Sequence, residues 1–217
     1  PLSQRQAASL VLNAVTGGAQ GEASFHLHAG ASIVTDPRGE VSLSAVDGLQ
    51  IDGSITAPGG SITATLRGPA DLSSPDLRVG EQAELSTAGV FIATPNDEGR
   101  VQGTLVNGGA VTLDARASGV RVETGARIDI RGVNQTVDAS TSDGLPGYIE
   151  RNLDGHAGTL TVRSQDRVVL NGTLLAQGGS ATAAGGSVAV ELRAPDGQTV
   201  RPAERRIVVT PDGQAAP

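Results

Sequence analysis

The chain of 217 residues carries a formal charge of −7, with 23 acidic residues against 16 basic ones that are all arginine, and it holds two Phe, one Tyr and no Trp, Met or Cys. An acidic chain without a basic run suits neither nucleic-acid phosphates nor an anionic membrane surface, and the lack of cysteine removes disulfides and thiol chemistry. No apolar run approaches a membrane-spanning length, and with so little aromatic area the core must be built from Val, Ile, Leu and Ala in thin layers.

The chain opens PLSQRQ without Met or a charged-then-apolar leader, which predicts an internal piece of something longer. SLVLNA (9–14) alternates apolar and polar residues and predicts a first strand, and FHLHAGASIVTDPRG (25–39) predicts two more. From Gly39 a phrase recurs in which glycine precedes apolar residues at every second position. It is GEVSLSA (39–45), GSITATL (60–66), GAVTLDA (109–115), GTLTVRS (158–164) and GSVAVEL (186–192), at intervals of 21, 49, 49 and 28 residues. The first four are each followed by a second alternating pair: Leu49/Ile51, Leu77/Val79, Val120/Val122 and Val168/Leu170. A third short strand then runs to glycine in GSITAPGG (53–60), EQAELSTAG (81–89), GARIDIRG (125–132) and GTLLAQGG (172–179). The unit is therefore three strands and three turns in about 20 residues. The 49-residue intervals are that unit plus insertions at 90–107 and 133–157.

One such unit cannot bury its inner face alone, but stacked units pair strand above strand at about 4.8 Å and close a continuous core. Pairing between units is parallel, which accounts for the scarcity of the two-residue hairpin turns that a barrel or sandwich would need. The expected fold is all-β: a parallel β-helix with three short strands per coil over residues 1–192, interrupted by the two insertions, then an incomplete coil and Pro-rich tail over 193–217. Alternation turns Val41/Leu43, Ile62/Ala64, Val111/Leu113, Leu160/Val162 and Val188/Val190 inward and Ser42, Thr63, Thr112, Thr161 and Ala189 outward.

AGASIVTDPRGEVSLSA (29–45), LQIDGSITAPGGSITATL (49–66) and VVLNGTLLAQGGSATAAGGSVAVEL (168–192) resemble the shaft of filamentous haemagglutinin-like exoproteins, the large adhesins of bacterial two-partner secretion. The resemblance extends over about residues 7–192 and implies a right-handed coil, export as an unfolded chain through an outer-membrane transporter, and a place at the bacterial cell surface. The NPNG- and NPNL-type motifs of that family's secretion domain do not occur, so the likeness is to shaft alone.

Candidate chemistry is sparse. His26 and His28 share an outward face, two residues apart, without a sequence neighbour to complete a metal set, and His156 stands alone. Arg121, Glu123, Arg127, Asp129 and Arg131 line an outer face, where an enzyme acting on acidic polysaccharide would need carboxylates and arginines and where solvation or pairing across coils needs the same residues. No catalytic, cofactor or metal site is predicted. Asn134 and Asn171 head N-x-[ST] sequons and are candidate glycosylation sites. The insertion 133–157 gathers the one Tyr with apolar neighbours, and Leu145, Pro146, Gly147, Tyr148 and Ile149 form a candidate partner-binding loop, set against a loop that folds back onto the coil.

The expected function is structural and not enzymatic: a shaft segment of a secreted surface adhesin that holds a distal binding region away from the cell. Its expected partners are the secretion transporter for the whole protein, a host-cell or bacterial receptor or glycan, and its own end coils, with no nucleic acid and no membrane insertion. A β-helix polysaccharide lyase or hydrolase and a cytoplasmic self-polymerising scaffold are the alternatives.

Overall fold

The computed structural model describes residues 6–15, 23–68, 75–141, 147–193 and 207–209, and among these there is no helix. The alternating phrases form the strands. In SITATL (61–66), Ile62, Ala64 and Leu66 are fully buried, while Ser61, Thr63 and Thr65 stay half-exposed, as period-two side chains on a sheet with one dry face must be.

The chain visits three sheets in rotation. The first circuit is β1 (Ser9–Asn13), β2 (Ser24–Leu27) and β3 (Ser32–Val34), and the second is β4 (Glu40–Ala45), β5 (Gly48–Ile51) and β6 (Ser54–Thr56). The third is β7 (Ser61–Leu66), β8 (Leu77–Val79) and β9 (Glu84–Ser86), followed by a pair outside the rotation, β10 (Val90–Ala93) and β11 (Gly103–Val106). Next come β12 (Ala110–Ala115), β13 (Val120–Val122) and β14 (Arg127–Asp129), then a second outlying pair, β15 (Asn134–Ser140) and β16 (Tyr148–Asp154). The fifth circuit is β17 (Thr159–Ser164), β18 (Val168–Leu170) and β19 (Thr173–Leu175), and β20 (Ser187–Leu192) and β21 (Ile207–Val209) begin a sixth. The first sheet is ordered β1-β4-β7-β12-β17-β20, the second β2-β5-β8-β13-β18-β21 and the third β3-β6-β9-β14-β19. Every pairing within them is parallel, an arrangement consistent with the expected parallel β-helix.

Register places like on like. Val41, Ile62, Val111 and Leu160 align in the first sheet, Ile51, Val79 and Val122 in the second, and Ile33, Ile55, Leu85 and Ile128 in the third. Their side chains meet in one core to which all three sheets contribute, with Leu43, Ile51, Ile55, Leu85 and Leu113 fully buried.

A column of glycine stands where the third sheet hands over to the first. A Cβ on Gly60 would lie 1.9 Å from the carbonyl oxygen of Gly39, one on Gly109 1.9 Å from that of Gly60, and one on Gly158 1.8 Å from that of Gly109. The residue after each glycine donates its N–H to the same carbonyl, Ser61 to Gly39 at 3.0 Å, Ala110 to Gly60 at 2.9 Å and Thr159 to Gly109 at 2.9 Å. The repeat's glycines are thus contact points between circuits rather than flexible turns, and only a residue without Cβ allows that approach.

Two expectations change. The insertions are not plain loops, because each contains an antiparallel hairpin, β10–β11 and β15–β16. Val188 occupies the inward column opposite Leu160 but is 48% exposed, since β20 is the last strand of its sheet among the described residues and leaves that side chain covered from one side.

Gly109→Ala should cost about 1–3 kcal/mol or more, the usual range for forced overpacking. Val122→Asp, which strands a carboxylate in the core, should cost several kcal/mol. Arg121→Gln on the opposite face of β13 should cost less than about 1 kcal/mol. Urea midpoints check the order, and equal midpoints for Val122→Asp and Arg121→Gln would refute the assignment of faces.

Candidate functional site

Both hairpins leave the chain between a third-sheet strand and the next first-sheet strand, β10–β11 between β9 and β12 and β15–β16 between β14 and β17. Because these corners belong to adjacent circuits, the hairpins stand side by side and join. The Asp138 N–H donates to the Val101 carbonyl at 2.8 Å, and the Val101 N–H returns a bond to the Asp138 carboxylate at 2.8 Å. The Asn96 amide donates to the Tyr148 hydroxyl at 3.1 Å, and the Arg100 guanidinium sits 4.8 Å from the centre of the Tyr148 ring. Arg100 is aimed there by the turn beneath it, in which the Asn96 side-chain oxygen accepts the backbone N–H groups of Glu98 and Arg100 at 3.1 and 3.0 Å. His156 ties the base together. Its N–H donates to the Asn107 side chain at 3.0 Å, its carbonyl accepts from Gly108 at 2.8 Å, and its Nδ1 accepts the Ala184 N–H at 2.9 Å.

Of the candidate loop, Leu145 and Pro146 lie outside the described residues, Gly147 is exposed, and Ile149 is 56% exposed. Tyr148 is half-buried, not against the three sheets but against the other insertion. The Asn134 amide, one of the two sequon side chains, donates to the Asp154 carboxylate across the hairpin. Asn171 is half-buried after β18, its N–H donating to the Val122 carbonyl at 2.9 Å.

A second feature runs over the outer face of the second sheet, an open groove of about 530 Å³. Pairing puts His26 beside Gln50, Gln50 beside Arg78 and Arg78 beside Arg121. His26 Nε2 meets the Asp52 carboxylate at 2.6 Å, and Gln50 donates to the same carboxylate at 2.6 Å, while the His26 and His28 rings lie 3.8 Å apart. Burial alone would raise the Asp52 carboxyl. The His26 and Gln50 bonds and the charges of His26 and Arg78 outweigh it and hold Asp52 below the ordinary carboxylate range. Further along, Asp76 accepts Arg167 at 2.8 Å and lies 3.5 Å from Arg121, and Glu123 accepts Arg78 at 3.1 Å.

Each of the three groove guanidiniums is engaged by a carboxylate, Arg78 by Glu123 and both Arg121 and Arg167 by the shared Asp76, while Asp52 is held by His26 and Gln50. A sugar carboxylate would have to compete with these pairings for any of the three guanidiniums. Among the described residues no group of three or more His, Asp or Glu could hold a metal ion. The third-sheet charges are more tightly held. Asp129 is 4% exposed, bonded twice by the Arg131 guanidinium at 2.6 and 2.9 Å and approached by Arg127 at 3.3 Å, so it is a buried structural ion rather than an open surface group.

Sequence reasoning missed Asp52, which lies 26 residues from His26 and meets it only through stacking, and it missed Asn96 and Arg100, whose PNDEGR phrase carries a turn signal but nothing that names Tyr148 as its partner. Set against known proteins, the chain matches no protein family, no curated protein and no solved structure.

Asp129 gives a pH dependence. Burial would raise its carboxyl, but the side-chain and backbone bonds from Arg131, the Arg131 charge and the Arg127 bond hold it below the ordinary range. A carboxylate depressed in the folded state contributes stability that is fully present above its unfolded value, near 4, and is lost as pH falls through the folded value. Asp129→Asn should cost about 1–3 kcal/mol at neutral pH and flatten the decline of the urea midpoint at acid pH, whereas a parallel displacement of the whole curve would show that Asp129 is not its source. Asp138→Ala should lower stability by no more than about 1.5 kcal/mol, and hydrogen exchange should speed at Val101 and along β15 while the inward strands keep their protection.

Proposed function

We propose that this chain is a shaft segment of a large secreted bacterial surface adhesin of the filamentous haemagglutinin-like kind, wound as a right-handed parallel β-helix that holds a distal binding region away from the cell. The in-register parallel stacking carries this reading. Circuit after circuit repeats the same inward ladder, the same corner glycine and the same backbone bonds to the circuit before, so that adding circuits adds length without creating a new centre.

The outer faces support the same reading. The first sheet presents Ser42, Thr63, Thr112 and Thr161 in one row, and the second presents charges that pair with one another across circuits. A chain without cysteine cannot close a disulfide before crossing an outer membrane, and circuits that contact only their neighbours can fold progressively as they emerge. In this reading the whole protein is threaded by an outer-membrane two-partner secretion transporter, stands outside the cell, and meets a host-cell or bacterial receptor or glycan elsewhere along its length.

The groove over the second sheet is the feature that favours an enzyme of acidic polysaccharides, and the engagement of each of its guanidiniums by a carboxylate weighs against that. An antibody against this chain should label intact cells of the source bacterium and lose its target after external protease treatment. The purified chain should leave a panel of acidic and neutral polysaccharides uncut, with or without Ca²⁺. Labelling that requires lysis would favour a cytoplasmic scaffold, and cleavage abolished by Arg121→Ala would favour a lyase.

A further inference from the structure

In the β15–β16 hairpin the two strands exchange backbone bonds at odd-numbered residues, as the flanking Gly155 N–H to Val133 carbonyl bond at 2.8 Å and Thr141 N–H to Gly147 carbonyl bond at 3.1 Å fix by continuity. Even-numbered residues therefore aim their N–H and C=O groups out of the pair. On β15 two of these are used, since the Asp138 N–H bonds the Val101 carbonyl and the Thr136 carbonyl accepts the Gln135 side-chain amide. On β16 the corresponding groups of Glu150 and Asn152 have no partner among the described residues, and Glu150, Arg151 and Asn152 are exposed. The strand is anchored at its base, where Gly179 donates to the Gly155 carbonyl at 2.8 Å and Thr182 to the Asp154 carboxylate at 3.2 Å, and at its other end through the Tyr148 side chain, which meets Asn96 and Arg100. β16 is thus an open strand edge standing on the flank of the stack.

A second copy fits this edge poorly. Two identical strands related by a two-fold axis must run antiparallel, and three registers overlap five or more residues of β16 with even-numbered residues bonded to each other. They set Glu150 on Glu150, Arg151 on Arg151, or Glu150 on Asp154. Like charges directly opposite are destabilising. A different strand, with a basic residue opposite Glu150, an acidic one opposite Arg151 and an apolar one opposite Ile149, meets complementary chemistry at those three exposed positions. We propose that β16 is a strand-addition site for an extended segment of another protein bearing that acidic-basic-apolar order, pairing antiparallel. Backbone bonds to Glu150 and Asn152 supply the affinity and the Glu150/Arg151 charges the selectivity. The inference is independent of the shaft reading.

The probe is the labelled octapeptide TVTEKVTV, with TVTKEVTV as its charge-exchanged control, titrated against the whole chain by fluorescence anisotropy. TVTEKVTV should bind saturably, and the control about tenfold or more weaker, a difference of about 1.4 kcal/mol. The double variant Glu150→Lys/Arg151→Glu should reverse the preference. Asn152→Pro removes an outward N–H and keeps the backbone bonds to β15 while losing the Thr136 hydroxyl bond to the Asn152 side chain, so it should abolish binding with only a modest fall in the thermal midpoint. Should that variant fold poorly, the charge reversal, which alters only exposed groups, still decides. Equal affinity for both peptides, no saturable binding of either, or binding that survives in folded Asn152→Pro would overturn the proposal. Dimers of the wild-type chain in sedimentation that disappear in Asn152→Pro would overturn it in favour of a second copy.

Discussion

The distance between one circuit and the next is set by glycine on glycine. At the corner entering the first sheet, Gly39, Gly60, Gly109 and Gly158 approach so closely that a methyl group on any of the last three would sit inside the carbonyl of the one before. That contact starts each first-sheet strand in phase with its neighbour. Because a slip of one residue would turn every inward side chain outward, the phase decides whether Val41, Ile62, Val111 and Leu160 form a ladder or a scatter. The same corner explains where extra chain is admitted. Each hairpin departs after a third-sheet strand and re-enters immediately before a column glycine, Gly109 or Gly158, so the next strand starts in phase whatever was inserted.

Outside the core, the structure manages charge by bridging circuits. The guanidinium is a planar fork of several donors, and here it repeatedly reaches acids contributed by a neighbouring circuit, as Arg78 reaches Glu123, Arg121 reaches Asp76 and Arg127 reaches Glu84. Exposed pairs of this kind contribute little singly. Their role is to let like residues stack: Arg78 lies directly beside Arg121, an arrangement that would repel without Asp76 and Glu123 between them.

Much of this was legible in the amino-acid order, because two periods coincide in it: alternation of two along each strand and recurrence of glycine at the corner. Together they identify the strands of the first five circuits, β20, and the inward residues Leu43, Ile62, Leu113 and Val162. Contacts between distant stretches had no such trace. Asp52 meets His26, and Asp76 meets Arg167, 91 residues away, only once circuits are stacked. The hairpins were hidden for another reason. NQTVDAS and YIERNLD alternate, but their apolar positions are too few to read as a buried face, and what holds them is cross-strand polar pairing, such as Thr136 to Asn152 at 2.7 Å. Asp129 looked like one more exposed charge because its partner Arg131 sits where the next outward residue should, just past the strand end.

The in-register stack also has a mechanical direction. Hydrogen bonds between circuits point from one circuit to the next, so tension applied between the two ends of the chain pulls along them and meets them a circuit at a time instead of shearing a whole sheet at once. Each circuit that peels away lengthens the tether by its own contour. This is about 70 Å for the 21-residue step from Gly39 to Gly60 and about 165 Å for the 49-residue steps that contain hairpins, at roughly 3.3–3.6 Å per residue. A stretched chain of this design yields in discrete, unequal increments and absorbs load without losing the circuits that remain, with the two hairpins acting as stored slack.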